Sequence, residues 1–378
     1  MDDEVRMSAP AERTVLESGL AQLRALLPGG WRVEHVAEPR IADTYADAVV
    51  SVMDSLGAGA RLVVEVKTRF TPRDAENLLG GQLLRLLRQV DPQSRVLVVA
   101  PWMSPRTQVR LAEGGINFLD LTGNVGIQLE RPAALVRTTG ASHDPAPPPA
   151  SAVSLRGVMA GRVVRLLVDV RPPYTPSDIA RASGASVPYV SRLLTALDGE
   201  ALIERGPRGV VLKVDWSGLL SRRAETYQLF GTNTARGYLS PTGARNAVRE
   251  LAELPAAAYR AVTGSFAASQ RAPVAAPTQL VLYVDDFDAI ATPLGLLPAD
   301  EGADVVLLQP YDFVVTDRLD RVDNLRVVAP SQLALDCLSG NGRMPAEGQA
   351  LLGWMDEHQS LWRQDSLTSA DIKGEVFL

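Results

Sequence analysis

The stretch Ser142-His-Asp-Pro-Ala-Pro-Pro-Pro-Ala-Ser151 sets four prolines into ten residues. Such a run is stiff, extended and poor in backbone donors, so it joins no core, and what folds on either side of it folds as a separate body. It predicts a linker over 141–155. The chain has 378 residues, enough for two or three domains of ordinary size. A Gly/Thr/Asn/Pro-rich stretch from Gly231 to Gly243 reads as a second connector, placed after a helix-like segment from Trp216 to Leu229. No period of 20–50 residues repeats, which removes solenoids and propellers.

Charge distinguishes the pieces. Residues 1–150 hold 16 basic and 18 acidic side chains, 151–216 hold 9 and 6, and 217–378 hold 13 and 20, giving −2, +3 and −7 and the total of −6. Only the middle piece is basic, so non-specific coating of nucleic acid by charge is excluded while a small basic reading head is not. No apolar run reaches the ~18 residues of a membrane helix, and the acidic start lacks a signal-peptide core, which predicts a cytoplasmic chain with no membrane partner. The single cysteine, Cys337, and three scattered histidines, His35, His143 and His358, leave no zinc cluster and no Ser-His-Asp chemistry. Lys67, Lys213 and Lys373 are the only lysines among 38 basic residues, which draws attention to each of them.

Before the linker, apolar residues at Val15, Leu16, Leu20, Leu23 and Leu26–Leu27 follow a helical period. Strands are expected at Trp31–Val36, Ala48–Met53 and Arg61–Lys67, then a helix over Pro72–Gln89, a buried strand Val96–Ala100, a helix Ser104–Glu113, and strands Ile116–Leu119 and Val125–Leu129. That order of helices and strands makes residues 1–140 an α/β sheet domain. Side chains alternate along a strand, so Glu65 and Lys67 share a face, and a hairpin of suitable register brings Asp47 beside them. Asp47, Glu65 and Lys67 are therefore candidate catalytic residues. Two carboxylates, Asp47 and Glu65, suit Mg²⁺, and an ammonium suits a scissile phosphate. The plainer reading makes Asp47 a turn residue and Glu65 with Lys67 a solvated strand face. The segment Asn117–Asn124 reads as a strand leading to a Thr-Gly-Asn turn.

This order and the D…ExK spacing resemble the PD-(D/E)XK nuclease superfamily over about residues 10–135, with Ala46 in place of the signature proline. The resemblance implies a Mg²⁺-dependent site at Asp47, Glu65 and Lys67, joined by a first-helix glutamate, Glu17, and a polar residue of the next helix, Gln82. Many such folds serve as binding modules without catalysis.

Past the linker, Gly157–Val168 forms an apolar-faced helix. Thr175 as N-cap, Pro176 at the first position and Gly184 at the end delimit a second. A third runs Ser186–Leu197, with Val187, Val190, Leu194 and Leu197 on its apolar stripe. Ile203–Arg205 and Val210–Val214 then close a hairpin over Gly206–Gly209. Residues 156–216 thus resemble winged helix-turn-helix transcriptional regulators, and the resemblance implies that the third helix enters the major groove of double-stranded DNA. The expected DNA-contacting residues are Ser186, Tyr189, Ser191, Arg192, Thr195, Arg205 and Arg208, with Arg192 for a bidentate guanine contact and Arg208 at the wing tip. No cofactor is required for that binding.

Residues 217–378 alternate helices and strands in an α/β pattern. Gly264-Ser265 after a strand is similar to the phosphate-binding turn of the nucleotidyltransferase fold. The acidic pair of that fold does not follow in place, since Asp285, Asp286 and Asp288 lie beyond the end of a strand. This piece therefore reads as a degenerate, inactive relative. The winged helix with this remnant, ending in Pro330-Ser-Gln-Leu-Ala-Leu-Asp336 and Arg343-Met-Pro-Ala-Glu-Gly348, is similar to bacterial AbiEi-type antitoxins, which usually carry the winged helix first, and the resemblance implies a DNA-binding repressor role to which the nuclease-like domain is extra. The expected function is sequence-specific transcriptional regulation, and the competing one is a Mg²⁺-dependent endonuclease of restriction or phage defence. A homodimer on a two-fold site is expected. Leu351, Leu352, Trp354, Met355 and Trp362 are its candidate surface, and the C-terminal piece is the place for a protein partner.

Overall fold

The computed structural model describes residues 10–36, 40–41, 44–45, 47–81, 84, 87, 94–146, 154–254 and 261–367. Residues 147–153 of the expected linker and the positions of Ala46 and Gln82 lie outside them. The chain is a mixed α/β protein in two compact units, Met1–Ser151 with Gly199–Ala201, and Ala152–Asp198 with Leu202–Leu378. Among the described residues no helix is long and apolar enough to cross a membrane.

The first unit is built on one seven-stranded sheet. Its elements are α1 (Pro10–Leu26), β1 (Arg32–Val36), a small hairpin of β2 (Arg40–Ile41) and β3 (Thr44–Tyr45), β4 (Ala48–Met53), β5 (Gly59–Val66) and α2 (Pro72–Gly80). Then follow β6 (Arg95–Ala100), α3 (Pro105–Glu113), β7 (Asn117–Asp120), β8 (Val125–Glu130) and β9 (Ala133–Thr138). Sheet order is β1-β4-β5-β6-β7-β8-β9, with β5, β6 and β7 parallel and the flanking pairs antiparallel. Parallel strands need cover on both faces, and the near-continuous apolar runs of β5 and β6 meet that need. On one face Val15, Leu20 and Leu23 of α1 pack with Val50, Val52, Leu62, Val64, Leu97 and Val99. On the other, Phe70, Ala75, Leu111 and Ile116 pack with Val63, Val96 and Val98. Gly19 lets α1 approach this closely, because a Cβ there would sit 2.5 Å from a Val99 methyl. The edge strand β9 was not expected from the sequence. Its residues, Ala-Ala-Leu-Val-Arg-Thr, are half-buried or exposed, and it is held by pairing with β8.

In the second unit α4 (Val158–Asp169), α5 (Pro176–Ser183) and α6 (Val187–Gly199) lead into a hairpin of β10 (Ile203–Arg205) and β11 (Val211–Val214). Thr175 and Asp178 form a reciprocal capping box at the start of α5, and Gly184 ends it at φ 70°. A bridge from Tyr174 to Val211 adds a third short strand to the hairpin. The stripe of α6 is Val190, Leu193, Leu194 and Leu197. Val187, expected inside, is 44 % exposed, because it precedes the first turn that the core covers.

The chain continues through α7 (Trp216–Ala224), β12 (Thr234–Leu239), α8 (Ala244–Glu253), β13 (Ala261–Thr263), α9 (Gly264–Ala268) and β14 (Leu280–Tyr283). It ends through β15 (Leu297–Pro298), β16 (Val305–Gln309), β17 (Asp320–Val322), β18 (Leu325–Val327), α10 (Pro330–Leu338) and α11 (Met344–Glu357). The second sheet has the order β15-β12-β16-β14-β13-β18-β17, with β14–β16 and β13–β18 parallel. The expected connector 231–243 therefore contains a strand, β12, recruited by pairing with β16 despite its polar sequence.

The segments read separately as 156–216 and 217–378 share one hydrophobic core, running from Val163, Leu167 and Leu194 through Leu219 to Leu282, Leu307 and Leu333. Buried polar links reinforce it. Arg165 of α4 is 1 % exposed and donates to Asp169 Oδ2 at 3.0 Å, to the Val314 carbonyl and to Gln332 Oε1, both at 2.9 Å. Gln332 in turn donates to Asp336 Oδ1 at 2.7 Å. At the far end of the chain, Arg363 Nε donates to the Val168 carbonyl (2.9 Å), the Gln364 amide to Asp169 (2.8 Å) and the Arg171 amide back to Gln364 (2.8 Å).

Candidate functional site

Three places matter, the outward face of α6, the carboxylate pair at the end of β5, and the turn at Gly264. On α6 the four buried positions fix which side faces out. Ser186 accepts the Tyr189 amide through Oγ at 3.4 Å, as an N-cap does. Arg192 and Thr195 are exposed and Ser191 half-exposed, with the Thr195 hydroxyl turned back onto the Ser191 carbonyl at 2.9 Å. Among the described residues Arg192 has no ion pair. Arg208, at φ 58° in the left-handed region, is exposed at the tip of the hairpin.

Two of the expected contacts behave differently. Arg205 is half-buried, with Nε 3.6 Å from Asp198 Oδ2, so it ties the turn end of β10 to α6. Tyr189 leans on the core, and burial pushes its hydroxyl up while the Arg223 and Arg192 charges pull it back. Ser186, Ser191, Arg192 and Thr195 thus share one helix, with Arg208 on the neighbouring hairpin.

In the first unit, Asp47 opens β4 and Glu65 lies in the last turn of the β5 pleat, with Ala48 paired to Val64. Continuing that antiparallel register sets Asp47 across from Glu65. The Asp47 carboxylate accepts the Val66 amide at 2.7 Å. Burial raises Asp47, the Val66 bond opposes this, and Glu12 raises it further. Glu65 is pushed up to about 7, first by burial, then by the Asp47 charge, against the pull of Lys67. Lys67 lies just past the strand, its Nζ 3.0 Å from Asp74 Oδ1 and 5.6 Å from the centre of the Phe70 ring. Asp74 also closes the capping box of α2 with Thr71. Although burial works upward on its carboxyl, the Thr71 and Lys67 hydrogen bonds leave it lowered.

The first-helix acid of this cluster is Glu12, which raises both Asp47 and Glu65, and not Glu17. Glu17 points to solvent and pairs with Arg13 at 3.2 Å, its side chain 67 % exposed. Helical spacing could have found this, since 12, 15, 19 and 23 fall on the inner stripe of α1 and 17 does not. Gln82 lies outside the described residues. The pair Asp47 and Glu65 offers the hard oxygen donors of a water-rich Mg²⁺ site, which takes one or two carboxylates. Among the described residues no group of three or more His, Cys, Asp or Glu is placed to hold one metal ion, so a closed cage does not fit.

Asp120 of the Asn117–Asn124 segment is fully buried and accepts from the amides of Met103, Thr122 and Asn124 and from the Thr122 and Asn124 side chains. Its capacity goes to that turn and to the loop at Met103. At Gly264 the phosphate-binding expectation meets a filled space. The Ser265 hydroxyl donates to Glu347 Oε2 at 2.7 Å, and both residues are buried. A carboxylate already occupies the place of an anion, and Asp285, Asp286 and Asp288 are exposed. The apolar residues offered as a dimer surface are also engaged. Leu351 and Met355 are fully buried, and Trp362 meets Trp216 edge-on at 5.1 Å between ring centres.

No family model, curated protein or solved structure matches the chain.

Proposed function

We propose that this protein is a sequence-specific regulator that binds double-stranded DNA through α6, in the manner of a winged helix-turn-helix. One observation carries the reading. The outward side of α6 presents Arg192, exposed and without an ion pair among the described residues, on a helix whose opposite side is locked into the core. An arginine so placed is free to take guanine O6 and N7 together, and phosphate contacts from the hairpin tip at Arg208 would set its register. The local charge of +3 in a chain of −6 supports the same reading. A second copy on a two-fold site would supply the contacts that one small head lacks. The test is enrichment from a randomised duplex library by the full chain, followed by titration of the selected site. The reading requires one recurrent sequence and a tenfold or greater loss with Arg192→Ala. A library that returns no sequence preference refutes it.

A second reading, a Mg²⁺-dependent nuclease, draws on the pairing of Asp47 with Glu65 beside Lys67. Asp47 and Glu65 would hold the ion and Lys67 would meet the phosphate. Cutting of duplex DNA with Mg²⁺ or Mn²⁺ that disappears in Lys67→Ala would favour it over an uncatalytic cleft.

A further inference from the structure

We infer that the first turn of α6 reads the 5-methyl group of a pyrimidine, through Val187 and Pro188, next to the guanine taken by Arg192. The inference rests on the DNA-binding reading and goes further by naming what the apolar end of the helix recognises. Val187 is 44 % exposed and Pro188 is exposed as well, although the helix buries four other apolar side chains. The core does not need them, and neither does the cap, which Ser186 supplies.

The same turn is poorly built for phosphate. A helix N-terminus binds anions through free amides. Here Pro188 has none, the Tyr189 amide is taken by Ser186 Oγ and the Val190 amide by the Ser186 carbonyl at 3.0 Å. Only the Val187 amide has no acceptor among the described residues. Where recognition helices meet base edges, in their N-terminal turns, this helix offers two apolar side chains and a single N–H. The major-groove feature that matches an apolar contact is the 5-methyl of thymine, which 5-methylcytosine shares. Pro188 and Arg192 are four residues apart and lie on one side of the helix, so the methyl and the guanine belong to adjacent or near-adjacent base pairs.

The experiment uses the full chain and the duplex selected above. Each thymine is replaced singly by deoxyuridine, which removes only the methyl, and the duplex is titrated with wild type and with Val187→Ser. We expect one position, within two base pairs of the guanine lost to Arg192→Ala, where deoxyuridine weakens wild type by about fourfold, the worth of one buried methyl. Val187→Ser should bind the two duplexes equally. Placing cytosine or 5-methylcytosine at that position separates the sources: recovery by 5-methylcytosine shows that the methyl alone is read, and no recovery shows that thymine is required. If a site is selected but no deoxyuridine substitution matters, or if Val187→Ser keeps the full methyl preference, the inference fails and the DNA reading stands. If no site is selected, both fail.

Discussion

Lys67 Nζ sits 3.0 Å from Asp74 Oδ1, so the cation nearest the Asp47–Glu65 pair is shared with the cap of α2. The Asp47–Glu65 pair is therefore short of positive charge.

Asp74→Ala is expected to remove the capping box and destabilise the first unit by about 1–2 kcal/mol, the usual cost of a lost cap. It also releases Lys67 toward Glu65. Chemical unfolding should show the loss, and a carboxylate NMR titration should show Glu65 moving down from about 7.

Glu65 gives a second expectation, with a definite sign. Its folded pKa, about 7, lies above its ordinary 4.5, so the folded state holds the proton more tightly. This contribution to stability is present below 4.5 and falls as pH rises toward 7. Glu65→Gln should match wild type near pH 4 and exceed it at pH 8 by roughly 1–2 kcal/mol, once solvent screening of the shift is allowed for. Equal unfolding midpoints at pH 8 would mean that the carboxylate is relieved by some other group.

In the second unit, Asp336 is fully buried and accepts from Thr263 (2.7 Å), Gln332 (2.7 Å), Tyr227 and Tyr283 (3.0 Å each). Burial raises it to about 6 against those bonds. Asp336→Ala removes the acceptor that four buried donors share and is expected to cost about 3–5 kcal/mol. Asp336→Asn, isosteric, should cost less, and its stability should lose the decline that wild type shows as pH rises from 3.8 through 6. Urea titrations at pH 4 and pH 7.5 would separate the two variants.

The two exposed arginines should differ in kind. Arg192→Ala is expected to lose 1–3 kcal/mol, as an order of magnitude, on the selected site and little on random duplex. Arg208→Ala should weaken both alike and lower the slope of log affinity against log salt by about one. Anisotropy titrations at several salt concentrations decide this. Indifference of both variants would remove α6 and the hairpin from the interface.

What the sequence made legible was local. The Thr175 cap followed by proline announces α5, helical segments opening at Pro72 and Ser104 announce α2 and α3, and the apolar runs announce β4, β5 and β6. The D…ExK spacing brought Asp47 to Glu65, because a strand register is short-range information. Distant partners were not legible. Glu347 fills the Ser265 turn from 82 residues away. Strand β12 has a polar sequence and takes its conformation from β16. Val187 fits the apolar period of α6 but precedes the part of the helix that the core covers, and periodicity carries no information about where a core stops.

The bonds from Arg363 and Gln364 to Val168 and Asp169, with sequence separations of up to 195 residues, bear on synthesis. At ordinary rates of some 5–20 residues per second, the ribosome needs on the order of ten seconds or more to pass from residue 170 to residue 364. Throughout that interval α4 to α6 exist without the segment that closes on α4 and without the sheet whose core they share. On the proposed DNA-binding reading, a nascent chain carrying only residues 1–216 is unfinished, and recognition would await the emergence of the residues up to Gln364.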